Sequence, residues 1–100
     1  SNSQMMTLQL YQQGLNVEEM AEMRGLSTGT IYTHLSELIE LQQPVDINEF
    51  VVAEKRDLII KSIEKLGANA LKPLKESLGE DFSYEEIKLV RAWWRREQSS

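Results

Sequence analysis

The chain has 100 residues, of which 41% are hydrophobic and 27% charged, with no cysteine and a net charge of −5. That length suits one domain with a modest core, and the lack of cysteine excludes both a disulfide framework and a thiolate metal site. No apolar run approaches a membrane span and no signal peptide is expected at the start, so the setting expected is reducing and cytoplasmic, and the acidic balance argues against a protein that coats DNA indiscriminately.

Ser1-Asn2-Ser3-Gln4 has the composition of an expression scar, which predicts a disordered extension over residues 1–4. Residues 5–97 then read as one helical domain, with a helix-turn-helix over 5–43 and a C-terminal helical unit over 44–97. The informative stretch runs from Gly14 to Ile39. Asn16 can cap a helix, with Glu19 three positions on to complete a capping box and Leu15 and Met20 placed as a hydrophobic staple. Met20 and Ala21 face inward. Gly25 supplies the left-handed residue that ends the helix. Leu26 returns to the core and Ser27 caps the next helix, on which Ile31, Leu35, Leu38 and Ile39 form one apolar stripe. The opposite face is Thr28, Gly29, Tyr32, Thr33, Ser36 and Glu37, the positions that would meet a nucleic-acid groove.

Gln42, Gln43 and Pro44 break the pattern. Asp46 repeats the cap logic with Glu49, and Ile47 to Leu66 reads as one long helix or two joined near Ala53. Leu58, Ile59, Ile63 and Leu66 are its expected buried face, and Gly67 its end. Leu71 to Leu78 is a short helix with Pro73 in its first turn. Gly79 stops it. Phe82, Ser83, Glu86 and Ile87 open a last helix reaching about Glu97, with Ile87, Val90 and Trp94 inward. No strand-like alternation occurs, so the fold expected is all-α, without a β-wing. Leu71–Arg95 repeats the order helix, glycine, turn, capped helix, which raises a second helix-turn-helix-like unit as a possibility.

Charge is divided unevenly between the two units. Residues 1–54 hold one basic side chain, Arg24, against eight acidic ones, a net of −7; residues 55–100 hold ten against eight, a net of +2. Phosphate neutralisation dominates nucleic-acid affinity, so contact with DNA should lean on the second half. There the last helix carries Lys88, Arg91, Arg95 and Arg96, with Trp93 expected outward as a stacking surface; the alternative is that both tryptophans are packing aromatics. Between Leu26 and Leu41 there is no Arg, Lys, Asn or Gln, the side chains that read bases by paired hydrogen bonds. The acidic set Glu18, Glu19 and Glu22, with Tyr32, offers instead a surface for docking a basic partner. His34 has no second histidine or cysteine for a metal site, and the adjacent glutamates at helix starts complement the helix dipole. No phosphate loop is present. The chain is therefore read as non-catalytic and without a cofactor.

The run from Gly14 to Leu35, together with Pro44-Val45-Asp46-Ile47, Leu71-Lys72-Pro73-Leu74-Lys75-Glu76 and Ser83 through Ala92, resembles the helix-turn-helix domain at the C-terminus of many bacterial RecQ-family DNA helicases. The resemblance spans roughly residues 5–95. It implies a parent that binds ATP and unwinds DNA in the 3′-to-5′ direction in repair and recombination, its motor lying N-terminal to this segment. It also implies an accessory role in binding DNA or protein. Three readings follow: an accessory domain touching DNA through its basic C-terminal helix, a protein-docking module using the acidic helix-turn-helix, and a free-standing transcription regulator. For the first, the candidate contacts are Lys88, Arg91, Arg95, Arg96 and Trp93, with Thr28, Tyr32 and Thr33. DNA and the helicase core are the partners expected.

Overall fold

A computed structural model describes residues 1–100. Six helices follow one another: α1 (Asn2–Gln12), α2 (Val17–Arg24), α3 (Thr28–Glu40), α4 (Ala53–Leu66), α5 (Leu71–Leu78) and α6 (Tyr84–Ser99), with one 3₁₀ turn at Ile47–Glu49. There is no strand, as the all-α reading requires.

The helix starts are those that the side chains dictate. Asn16 Oδ1 accepts from the Glu19 N–H at 2.8 Å while Glu19 Oε1 accepts from the Asn16 N–H at 2.9 Å, and Ser83 and Glu86 exchange the same pair at 3.0 Å each. Each box satisfies two donors that a helix start leaves free. Gly25 sits at φ 66°, ψ 33°, and the Leu26 N–H closes back on the Ala21 carbonyl at 3.0 Å. At the end of α3 the same closure, from the Gln43 N–H to the Leu38 carbonyl at 2.9 Å, is made with Gln42 at φ 63°. A side chain there costs about 1 kcal/mol that glycine would not. Asp46 caps only a short turn, bonding the Asn48 N–H at 2.9 Å, and Val52 is extended before α4. The stretch from Ile47 is thus two pieces.

The core is organised about α3 and α6. Ile31, Leu35, Leu38 and Ile39 are fully buried, as are Ile87 and Val90, with Leu89 and Ala92 nearly so. α3 packs on α6 along one side and on α1 and α2 along another, while α4 and α5 lie against the rest of α6. A helix buried on two sides cannot present a broad face to a ligand. α5 and α6 do keep the order helix, glycine, turn, capped helix, but α6 is the central support of the domain.

Several expectations are corrected. Residues 1–4, expected as a disordered extension, open α1, which begins at Asn2 with Ser1 Oγ accepting from the Gln4 N–H at 3.4 Å. Ser36, expected on the outward face of α3, is buried and donates to the Thr33 carbonyl at 2.8 Å. Leu58 and Leu66 are exposed, because α4 buries the line Ile59, Ser62, Ile63. Leu58 lies about 100° around the helix from Ile59. Trp94 is only partly buried, at the edge of the core.

Candidate nucleic-acid interface

Two surfaces carry the candidate residues, and they differ in kind. The first is the outer side of α3. Thr28 is exposed, while Tyr32 and Thr33 are half-buried. Thr33 Oγ1 donates to the Gly29 carbonyl at 3.1 Å and accepts from Lys88 Nζ at 2.9 Å. This bond ties the flank of α3 to α6 and holds the Lys88 ammonium against Thr33, with two of its three donors unused. Tyr32 lines a groove of about 310 Å³ with Tyr11, Leu15, Glu18, Glu49 and Phe50. Burial, then Glu18, Glu85 and Glu86, push the Tyr32 hydroxyl pKa up, a sign of how acidic that surface is. Across the groove, the Tyr11 hydroxyl donates to Glu49 and accepts from the Asp46 N–H at 3.0 Å. Burial and the Glu49 bond push its pKa up to about 12.

The only cation of this half is turned inward. Arg24 donates to the Ser3 carbonyl and to Thr7 Oγ1, both at 2.6 Å, and Thr7 lies 2.9 Å from His34 Nδ1. Thr7 is fully buried, so these bonds join α1, α2 and α3 through one hydroxyl. Arg24 Nη1 also lies 3.5 Å from His34 Nδ1, and a guanidinium can only donate, so Nδ1 is the accepting nitrogen and the Thr7 hydroxyl donates to it. Desolvation, then Arg24, hold the His34 pKa below its ordinary 6.5. His34 is half-buried on α3, and the helix α1 that covers it was not foreseen from the sequence. The signal that could have found it lay in the polar pattern of Ser3, Thr7 and Tyr11, every fourth residue.

The second surface is the far edge of α6. Arg91 and Arg95, one turn apart, both donate to the Ala68 carbonyl in the α4–α5 turn, at 3.3 and 2.9 Å. Burial, then Arg95, lower the Arg91 pKa. The opposing carboxylate is Glu40, 3.9 Å from Arg95. Each guanidinium has five donors, so most remain unused here. Lys65 and Lys72, which bracket the same turn in sequence, are exposed and make no hydrogen bond or ion pair; they were not among the contacts expected from the sequence, where nothing linked the α4–α5 turn to α6. Arg96 pairs with Glu97 at 3.3 Å. Trp93 is not an outward stacking platform: it is partly buried and the Arg56 guanidinium lies 5.3 Å from its ring centre. The packing alternative is the one adopted.

Glu18, Glu19 and Glu22 lie together on the exposed side of α2, on the surface opposite in charge. No three or more His, Cys, Asp or Glu side chains gather in a metal-holding geometry. No helix is long and apolar enough to cross a membrane.

A capped helix, a glycine turn and a second capped helix, braced by an all-helical remainder, define a helix-turn-helix protein. The match agrees: residues 3–91 fit the family described as helix-turn-helix domain, and the chain belongs to it. The chain is similar to Protein YpbB of Bacillus subtilis (strain 168), at 35% identity over 85 residues that make up 84% of this chain and 24% of that protein. It therefore spans about a quarter of the relative's length. No solved structure matches it.

Proposed function

We propose that this domain is a non-catalytic accessory module that contacts DNA phosphates through the α6 edge and the α4–α5 turn, within a parent of the RecQ helicase type. The observation that carries the reading is the convergence of Arg91 and Arg95 on one carbonyl with a single carboxylate near them, bracketed by the unpaired Lys65 and Lys72. Two guanidiniums that repel each other gain by receiving an anion. Backbone contact of this kind positions a duplex or strand without reading its sequence. The absence of bidentate base-reading side chains on α3, and the Lys88 bond across its flank, support a reading in which specificity comes from elsewhere in the parent. The ATP-driven motor would be supplied by that parent, as the resemblance to RecQ-family C-terminal domains implies. Setting the whole in the cytoplasm belongs to the same proposal.

Fluorescence anisotropy with single-stranded, duplex and forked DNA at about 50 and about 200 mM salt tests it. The expected result is micromolar binding that weakens steeply as salt rises. Absence of binding at the lower salt overturns the reading.

A further inference from the structure

The proposed DNA edge leaves the outer side of α2 unexplained, and that surface combines two features seldom found together without a partner. Met23 is 69% exposed, Met6 53% and Met5 45%, so three flexible thioethers stand in solvent on neighbouring helices. Leu15, Glu19, Glu22 and Met23 line a shallow groove of about 580 Å³. Glu19, Glu22 and Met23 lie along one stripe of α2, with Leu15 just before its N-cap. Glu18 and Glu22 have no hydrogen-bonded or ionic partner, and Glu19 is engaged only with the Asn16 amide. The one cation of the acidic half, Arg24, is spent on α1 and leaves these carboxylates uncompensated.

We infer that this face docks a cationic amphipathic helix of a partner protein. Charge complementarity selects the occupant. The apolar stripe of such a helix would seat on Leu15 and Met23, whose unbranched thioether adapts to an irregular surface, and its flanking lysines or arginines would meet Glu18, Glu19 and Glu22. A nucleic acid is repelled by the same carboxylates, so this face and the α6 edge serve different ligands.

The test is a titration of the 100-residue chain, labelled at its methionine methyl groups and backbone amides, with a synthetic Leu/Lys amphipathic helix, followed by NMR. Saturable shifts centred on Leu15, Glu19, Glu22 and Met23 are expected. Affinity should drop about tenfold or more in Met23→Ser and in Glu22→Lys, as for the anchors of a small interface. Both positions are exposed, and circular dichroism verifies that the variants stay helical. Glu76→Lys, an exposed acid on α5, should leave affinity unchanged. A lack of shifts overturns the inference, as does an equal loss in Glu76→Lys or equal binding of a Lys-rich peptide with its leucines scrambled. Since Arg91 and Arg95 take no part, the outcome is independent of DNA binding.

Discussion

The two halves of this molecule use nearly the same local grammar and arrive at opposite surfaces. In α2–α3 a capped helix, Gly25 and a three-residue turn deliver a helix that is gripped on two sides, its flank bonded to Lys88 and its surroundings acidic. In α5–α6 a glycine stop and a capping box deliver a longer helix that packs on α3, α4 and α5 yet keeps a basic edge at its far end. The motif decides how the chain turns. The packing of α3 on α6 decides what each helix has left to offer.

The largest way to break this arrangement is at the seam between the halves. Leu35 is fully buried on α3, and Leu35→Ala should lower stability by about 3 kcal/mol, read as a shift of the urea midpoint without loss of cooperativity. If the halves were independent units, two transitions would appear instead. A smaller effect is expected at the polar junction of α1 with the helix-turn-helix. Thr7→Val removes an acceptor from Arg24 and a donor from His34 inside the fold, at a cost of about 1–3 kcal/mol, with α1 the first element to lose hydrogen-exchange protection.

The same junction predicts a pH dependence. His34 has its pKa lowered in the folded state, so below 6.5 the unfolded chain takes up the proton first. The stabilisation is complete above that value and is lost as pH falls from it through the lower folded pKa. Unfolding at about pH 7.5 and about pH 5.5 should show the drop, and His34→Gln, which removes the chain's one histidine, should remove that share of it. The smallest effect sharpens the turn rather than breaking it: Gln42→Gly should raise stability by up to about 1 kcal/mol, because the left-handed backbone at φ 63° suits glycine.

Much of this was legible in the residues. The caps at Asn16, Ser27 and Ser83, the stops at Gly25, Gly67 and Gly79, and the stripe from Ile31 to Ile39 act within a few residues of each other, so sequence alone exposes them. Helix α1 escaped because its apolar side chains do not gather on one face: Met5 and Met6 point to solvent, and Thr7, Tyr11 and Leu8 hold it down. The outward face of α3 was misjudged at Ser36 because the position of α6 is a tertiary fact. Trp93, left open between a stacking surface and a packing aromatic, meets Arg56 from another helix, a contact that sequence spacing does not reveal. On the basic edge, Arg91, Arg95 and Arg96 were visible as charges, whereas the link from Arg91 and Arg95 to the turn that Lys65 and Lys72 bracket appears only when Ala68 folds against α6.

The central claim is that DNA meets the α6 edge and not the outer side of α3. It is tested most directly by anisotropy on two variants, Lys65→Gln/Lys72→Gln and Thr28→Glu/Tyr32→Ala. The lysines make no bonds in the fold, so their loss reports charge alone. The account predicts that the first variant binds more weakly, with the salt slope reduced by about 1 for each lost contact, while the second binds as the parent does. Loss of binding in the second variant with the first unaffected would contradict it.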